Sequence, residues 1–274
     1  MELRTLKMAF WVTFDHVGMM LVVNFLGMAL ILPASCLGYW TLAVGGWSAF
    51  LWVGVPVLLL GWAVCLPIWA AAVAHMLKEC LDTREGSLRT FLEGLRLFSG
   101  VASRLGLMLA GILVLLAANV WFYAVKVGQS VPWVGYGLSA VALWAWVVVV
   151  LATVFAFPAL VQKRAGAWAT VKLSLLLVLD NPVFSVFVAL GVVMCMAFGV
   201  FPPALLLFSI APGVVWVSCA YEMLSRKYAS IEAQRADEAA GALHRTWRQR
   251  LVDWDAKDDY LNRGFRDLLF PWRQ

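Results

Sequence analysis

Charge is scarce in this chain. Its 274 residues include 21 Lys and Arg, 16 Asp and Glu and three His, so 14% are charged, against about a quarter in a soluble domain. Catalytic signatures are missing as well: there is no nucleophile elbow, no phosphate loop, no zincin motif and no pair of carboxylates inside an apolar run. Five cysteines (Cys36, Cys65, Cys80, Cys195, Cys219) contain no CxxC pair, which argues against a structural disulfide or a zinc site. No long polar stretch interrupts the apolar runs. These absences point away from an enzyme and from a cofactor or metal requirement. Nucleic acid is not expected either, because the ten basic residues from Arg226 onward are offset by eight acidic ones.

What is present is apolar surface. Hydrophobic residues make up 63% of the chain and the mean hydropathy is +0.85, values that belong to an integral membrane protein. The 15 Trp suit a bilayer boundary, where an amphipathic ring is half wet. The expected fold is all-α, a polytopic membrane bundle of six transmembrane helices with interfacial helices and a helical cytoplasmic tail. Residues 1–223 form the membrane domain and 224–274 the tail.

The first 16 residues place Leu3, Leu6, Phe10 and Phe14 at near-helical spacing, which predicts a short interfacial helix. Spans are then predicted from about residue 17 to 37, 48 to 74, 105 to 125, 133 to 161, 182 to 201 and 203 to 221. Each has the roughly 20 residues needed to cross about 30 Å of hydrocarbon. Ala34-Ser35-Cys36 looks like the end of a lipoprotein box, but Pro33 stands where Leu is usual, so an uncleaved first span is expected. The last two spans are separated only by Pro202-Pro203; without a turn there the count would be five. Charge decides the count: with six spans and the amino terminus inside, 20 of the 21 Lys and Arg fall on inner segments, leaving only Lys126 outside. Both termini are then cytoplasmic.

Two inner segments read as ordered helices. In SLRTFLEGLRLFSG, Ser87 suits the cap, Arg89 and Glu93 pair at i,i+4, and Gly100 suits the end. Between Phe155 and Phe187 the chain leaves a span at Pro158 and makes a helix too short to cross. It restarts at Asp180-Asn181-Pro182, where Asn181 and Pro182 suit the cap and first turn of a new helix. On that short helix Lys163, Thr170 and Ser174 share one side, and Trp168, Val171, Leu175 and Val178 the other. The tail has helix-favouring composition to about residue 252, with Gly241 as a bend, and ends in DDYLNRGFRDLLFPWRQ. That stretch gathers aromatics between charges and is expected to dock on the inner membrane surface, on the Ser87 helix or on a partner. Tyr260, Phe265, Arg266, Phe270 and Trp272 are the partner-binding candidates.

Several short motifs together resemble the YesL-like family of bacterial membrane proteins. They are Phe14-Asp15, Asn24-Phe25 and Leu32-Pro33; the Phe91 to Phe98 segment; Asn119-Val120-Trp121-Phe122-Tyr123; and Phe157-Pro158, Leu173-Ser174 and Asn181-Pro182, together covering roughly residues 8 to 221. The resemblance implies a compact multispan inner-membrane protein, often associated with carbohydrate uptake. It carries over no activity residue by residue, and it does not account for the tail ending Phe270-Pro271-Trp272.

Polar groups inside spans are costly, which makes Asn24 and Asn119 the intramembrane candidates, either lining a path or joining helices. Asp15, His16, His75, Glu79, Asp180 and Glu222 collect at the inner boundary without metal-ligand spacing. Pro33, Pro56, Pro67 and Pro158 are kinks, static or moving. Gly106 with Ala110, and Ala70 with Ala74, offer small surfaces for close helix approach. The leading expectation is a non-enzymatic accessory or assembly component that binds membrane lipids and a further membrane or cytoplasmic protein through residues 224–274. A small transporter or channel component, able to work as a homo-oligomer, is the alternative, and a lipid-modifying enzyme using the boundary cluster is a third.

Overall fold

The computed structural model describes residues 1–198, 211–239 and 246–263, with the side chains of 255–257 left aside. Helix α1 (Glu2–Asp15) leads into α2 (Val17–Ala49). A π turn (Phe50–Gly54), α3 (Val55–Thr83) and α4 (Leu88–Trp121) follow. A second π turn (Phe122–Val127) and the short α5 (Gly128–Ser130) precede α6 (Pro132–Lys163), α7 (Ala167–Asp180) and α8 (Pro182–Phe198). Then come α9 (Ala211–Ala239), α10 (Trp247–Lys257) and the four-residue α11 (Asp259–Asn262); no strand occurs among the described residues.

Three continuous runs are long and apolar enough to cross a membrane: Val17–Thr83, Leu88–Ser130 and Pro132–Lys163. A fourth candidate is the pair α7 and α8, bent by 109°. Six crossings were expected, and the last of them, 203–221, falls partly outside the described residues. The first run is not a single rod, which at 67 residues would extend about 100 Å. It folds back at Gly46, whose φ of 67° is open to glycine without strain. The two arms lie antiparallel, with Gly27 against Trp69, Ala34 against Gly61 and Gly38 against Leu58.

Close packing is achieved by fitting large groups onto missing side chains, as expected where lipid offers no hydrophobic drive between helices. A methyl at Gly27 would meet the Trp69 ring at 2.5 Å, and the Trp69 indole donates to the Val23 carbonyl at 2.9 Å. The same device joins α8 to α9: a methyl at Gly191 would meet Trp216 at 2.3 Å, and that indole donates to the Val188 carbonyl at 3.0 Å. Each lock seats a large ring and also satisfies an N–H that has no water to turn to. A third approach joins α3 to α4. Pro67 lacks the N–H that Ala63 O would otherwise accept; a methyl at Gly106 would stand 2.2 Å from that oxygen, so only glycine lets α4 cover it.

The Ser87 cap holds, with Thr90 N donating to Ser87 Oγ at 3.2 Å, and Arg89 pairs with Glu93 at 3.0 Å. Gly100 does not end this helix, however. α4 continues unbroken into the apolar run, because Phe91, Gly94, Phe98, Ala102, Leu105 and Leu109 form one buried stripe along it. The short helix appears where expected, as α7, but its buried face draws on both of the expected sides. Thr170 and Ser174 are buried with Val171 and Val178, while Trp168, Leu176 and Leu179 are exposed. Small hydroxyl side chains allow close approach to the bundle, and large apolar ones are free to face lipid. α9 likewise runs without interruption past the 223/224 boundary between membrane domain and tail. The Pro202-Pro203 turn and the Gly241 bend lie outside the described residues.

Candidate functional site: the charged end

Charged side chains converge where α1, the end of α3, the middle of α9 and the 258–263 segment meet. Arg84 ends α3 in a left-handed conformation, φ 63°, with its N–H on Cys80 O at 3.0 Å. Its guanidinium contacts Asp259 at 2.9 Å and lies 4.6 Å over the Tyr260 ring. Arg226 on α9 contacts Glu222 at 3.0 Å and Asp258 at 2.7 Å, and Gln162 donates to Glu222 at 3.4 Å. Arg263 contacts Asp15 at 2.5 Å and packs over both Trp11 and Tyr260. Lys7 donates to the Leu261 carbonyl. Cation-π contacts and paired guanidiniums of this kind add directional strength to a boundary that is half dry.

Tyr260 is the keystone of this clamp. It is 3% exposed and packs into the main apolar cluster together with Met8, Trp11 and Cys80. Burial, with the nearby Asp15 carboxylate adding to it, pushes its phenol up to about 12, so it stays protonated. Asp258 begins α11 by accepting from Tyr260 N at 3.0 Å. Tyr260, one of the partner-binding candidates, thus has its ring packed within the chain. The tail docks on α1, α3 and α9 rather than on the Ser87 helix in its described part. Phe265, Arg266, Phe270 and Trp272 lie outside the described residues.

A second clamp fixes the α7–α8 elbow to α9. Tyr228 donates to Asp180, Asn181 Nδ2 donates to the Tyr228 hydroxyl at 2.7 Å, and Lys227 donates to Asn181 Oδ1 at 2.5 Å. Asn181 was expected to cap α8; its side chain instead reaches across to α9. Burial and the bond to Asp180 push the Tyr228 phenol up to about 12.

At the first clamp lies an open polar cavity of about 390 Å³, lined by Leu81, Asp82, Arg84, Glu222, Arg226, Trp254 and Asp258. Beside it α10 is tied back onto α9 by Arg250 to Asp237 and by Trp247 N to Gln234 at 2.8 Å. Leu251 of α10 is buried, whereas Val252 and Trp254 are exposed.

The two asparagines expected inside spans sit on different helices. Asn24, 2% exposed, accepts from Ala211 N at 2.9 Å and so joins α2 to the start of α9. Asn119 is half-buried on α4. Neither lines the apolar cavity of about 190 Å³ between α3, α6, α8 and α9, where Thr153, Phe157, Pro158 and Gly213 are found. The boundary histidines also part: His16 lies near Cys80 and Gly86, while His75 packs against Phe98 at 5.5 Å between ring centroids. Among the described residues His16 Nε2 is buried with no hydrogen-bond partner, and burial holds its imidazole below the usual range, Asp15 opposing.

No family model matches the chain, and no curated protein or solved structure shows detectable similarity to it.

Proposed function

We propose that this chain is a six-pass inner-membrane accessory or assembly protein whose charged end faces the cytoplasm and presents α10 to another protein. The Gly46 fold-back divides the first apolar run into two legs. With α4, α6, α8 and α9 these make six, and the even count returns both termini to one side. The charge distribution supports the same side, since 20 of 21 Lys and Arg then lie inside.

The observation that carries the partner reading is α10 itself. It is polar in composition, is tied to α9 by the Arg250 and Gln234 contacts, and yet exposes Val252 at 53% and Trp254 at 40%. Exposed aliphatic and indole surface on a fixed soluble helix is the material of an interface anchor. Affinity isolation of the full chain against a Val252→Asp, Trp254→Ser double variant tests it. Loss of specific partners is expected, and an unchanged partner set overturns it. The variant leaves buried Tyr260 and its clamp in place.

A small transporter or channel component is the second reading, and only its link to carbohydrate uptake is what the YesL-like resemblance implies. Its support is the cavity beside Pro158 and Gly213. That lining is apolar apart from Thr153, which suits a hydrocarbon better than a sugar.

A further inference from the structure

A groove of about 220 Å³ separates α4 from the last turn of α6. Its walls are Leu97, Phe98, Val101, Leu160 and Ala165, and Arg164 stands in its lining. Leu97 is 61% exposed, so the groove opens outward rather than into the core. Arg164 ends α6 in a left-handed conformation, φ 46°. It is exposed, as is Lys163 before it. Among the described residues Arg164 has no hydrogen bond or ion pair, unlike Arg84, Arg226 and Arg263 at the same end of the molecule. Glu93 on the facing helix is committed to Arg89.

An apolar slot with one unpaired guanidinium matches a ligand that is itself apolar with an anionic head. Arginine presents a planar fork that fits phosphate oxygens in bidentate fashion. On the membrane reading above, the groove lies at the inner boundary, where acyl chains meet phosphates and anionic lipids are drawn to juxtamembrane basic residues. We infer that the α4–α6 groove is a binding site for one anionic phospholipid, its acyl chain against Leu97, Val101 and Leu160 and its phosphate on Arg164. A phosphatidylcholine head brings an ammonium that Arg164 and Lys163 repel, so the site discriminates by net charge.

The test is native mass spectrometry of the full chain in detergent, titrated with dioleoyl-phosphatidylglycerol or with dioleoyl-phosphatidylcholine. Arg164→Gln is expected to weaken the first phosphatidylglycerol by about five- to tenfold, the scale of one juxtamembrane charge contact. Ala165→Phe, which fills the groove and leaves the charge, is expected to weaken it comparably. Arg89→Gln removes the same charge outside the groove and is expected to change binding less than twofold. Melting temperatures of all three confirm folding, and Ala165→Phe carries the test should Arg164→Gln fail to fold. Equal losses for Arg89→Gln and Arg164→Gln would reduce the effect to general electrostatics and overturn the site. So would equal retention of phosphatidylcholine, or displacement of the lipid by millimolar inorganic phosphate with no effect of Ala165→Phe. None of these outcomes bears on the α10 partner test, so the two proposals fail separately.

Discussion

The two ends of the bundle are made of different materials. Around the Gly46 and 128–135 turns the surface is aromatic, with Trp52 83% and Trp133 91% exposed. At the other end, guanidiniums and carboxylates meet at 2.5 to 3.0 Å, and the tail is drawn into the fold by Tyr260. The aromatic end is held by its turns and its preference for a boundary. The charged end is cross-linked between segments more than 170 residues apart, such as Arg84 with Asp259. One end positions the bundle in its solvent; the other joins membrane legs to tail.

The comparison can be broken first in the region both ends share. Trp69→Ala removes a fully buried ring and its bond to Val23 O, and should destabilise by about 3 kcal/mol, read as a lower melting temperature in a fixed detergent. Arg226→Ala leaves Glu222 and Asp258 facing each other with their shared cation gone. It should cost about 2 kcal/mol, with faster proteolysis of the tail as a second readout. If it matches Arg89→Ala, whose exposed pair should contribute no more than about 0.5 kcal/mol, the clamp is not what holds the tail.

Acid should act at the charged end. Burial lowers the His16 imidazole and Nε2 has no acceptor among the described residues, so the fold favours the neutral ring. That contribution is complete above the ordinary histidine value of about 6.5 and is lost as pH falls below it. Melting temperature should therefore decline from pH 8 to pH 5 more steeply in the native chain than in His16→Gln. Parallel profiles would remove His16 from the account. Smallest of all is Trp133→Ala, which should stay within about 0.5 kcal/mol; a loss near that of Trp69→Ala would show that the aromatic end is structural.

Much of the helix map was legible because it follows from apolar run length and punctuation. The span expected near 133–161 is α6, bounded by Pro132 and Lys163, and the short helix and its restart at Pro182 are α7 and α8. The inner face of α7 was not legible, because it takes residues from both sides of the wheel: Thr170 and Ser174 turn inward with Val171 and Val178, while Trp168 and Leu176 turn outward. Gly100 misled because a capping residue cannot stop a helix whose buried stripe continues beyond it. At the candidate site, aromatic density announced that Tyr260 must dock. Its receptor could not be read, since Trp11, Arg84 and Cys80 lie far away in sequence. Asn24 is buried, and the group that donates to it, a backbone N–H of α9, has no side-chain signature at all.

The opposition of the two ends across a membrane is tested most directly by cysteine labelling in intact cells. In a background with the five native cysteines replaced, Ser130→Cys, Ser87→Cys and Thr246→Cys would each be exposed to an impermeant maleimide. The account predicts that Ser130→Cys reacts in intact cells, whereas Ser87→Cys and Thr246→Cys react only after permeabilisation. Labelling of Thr246→Cys from outside would mean an odd number of crossings, and labelling of all three from one side would contradict the account outright.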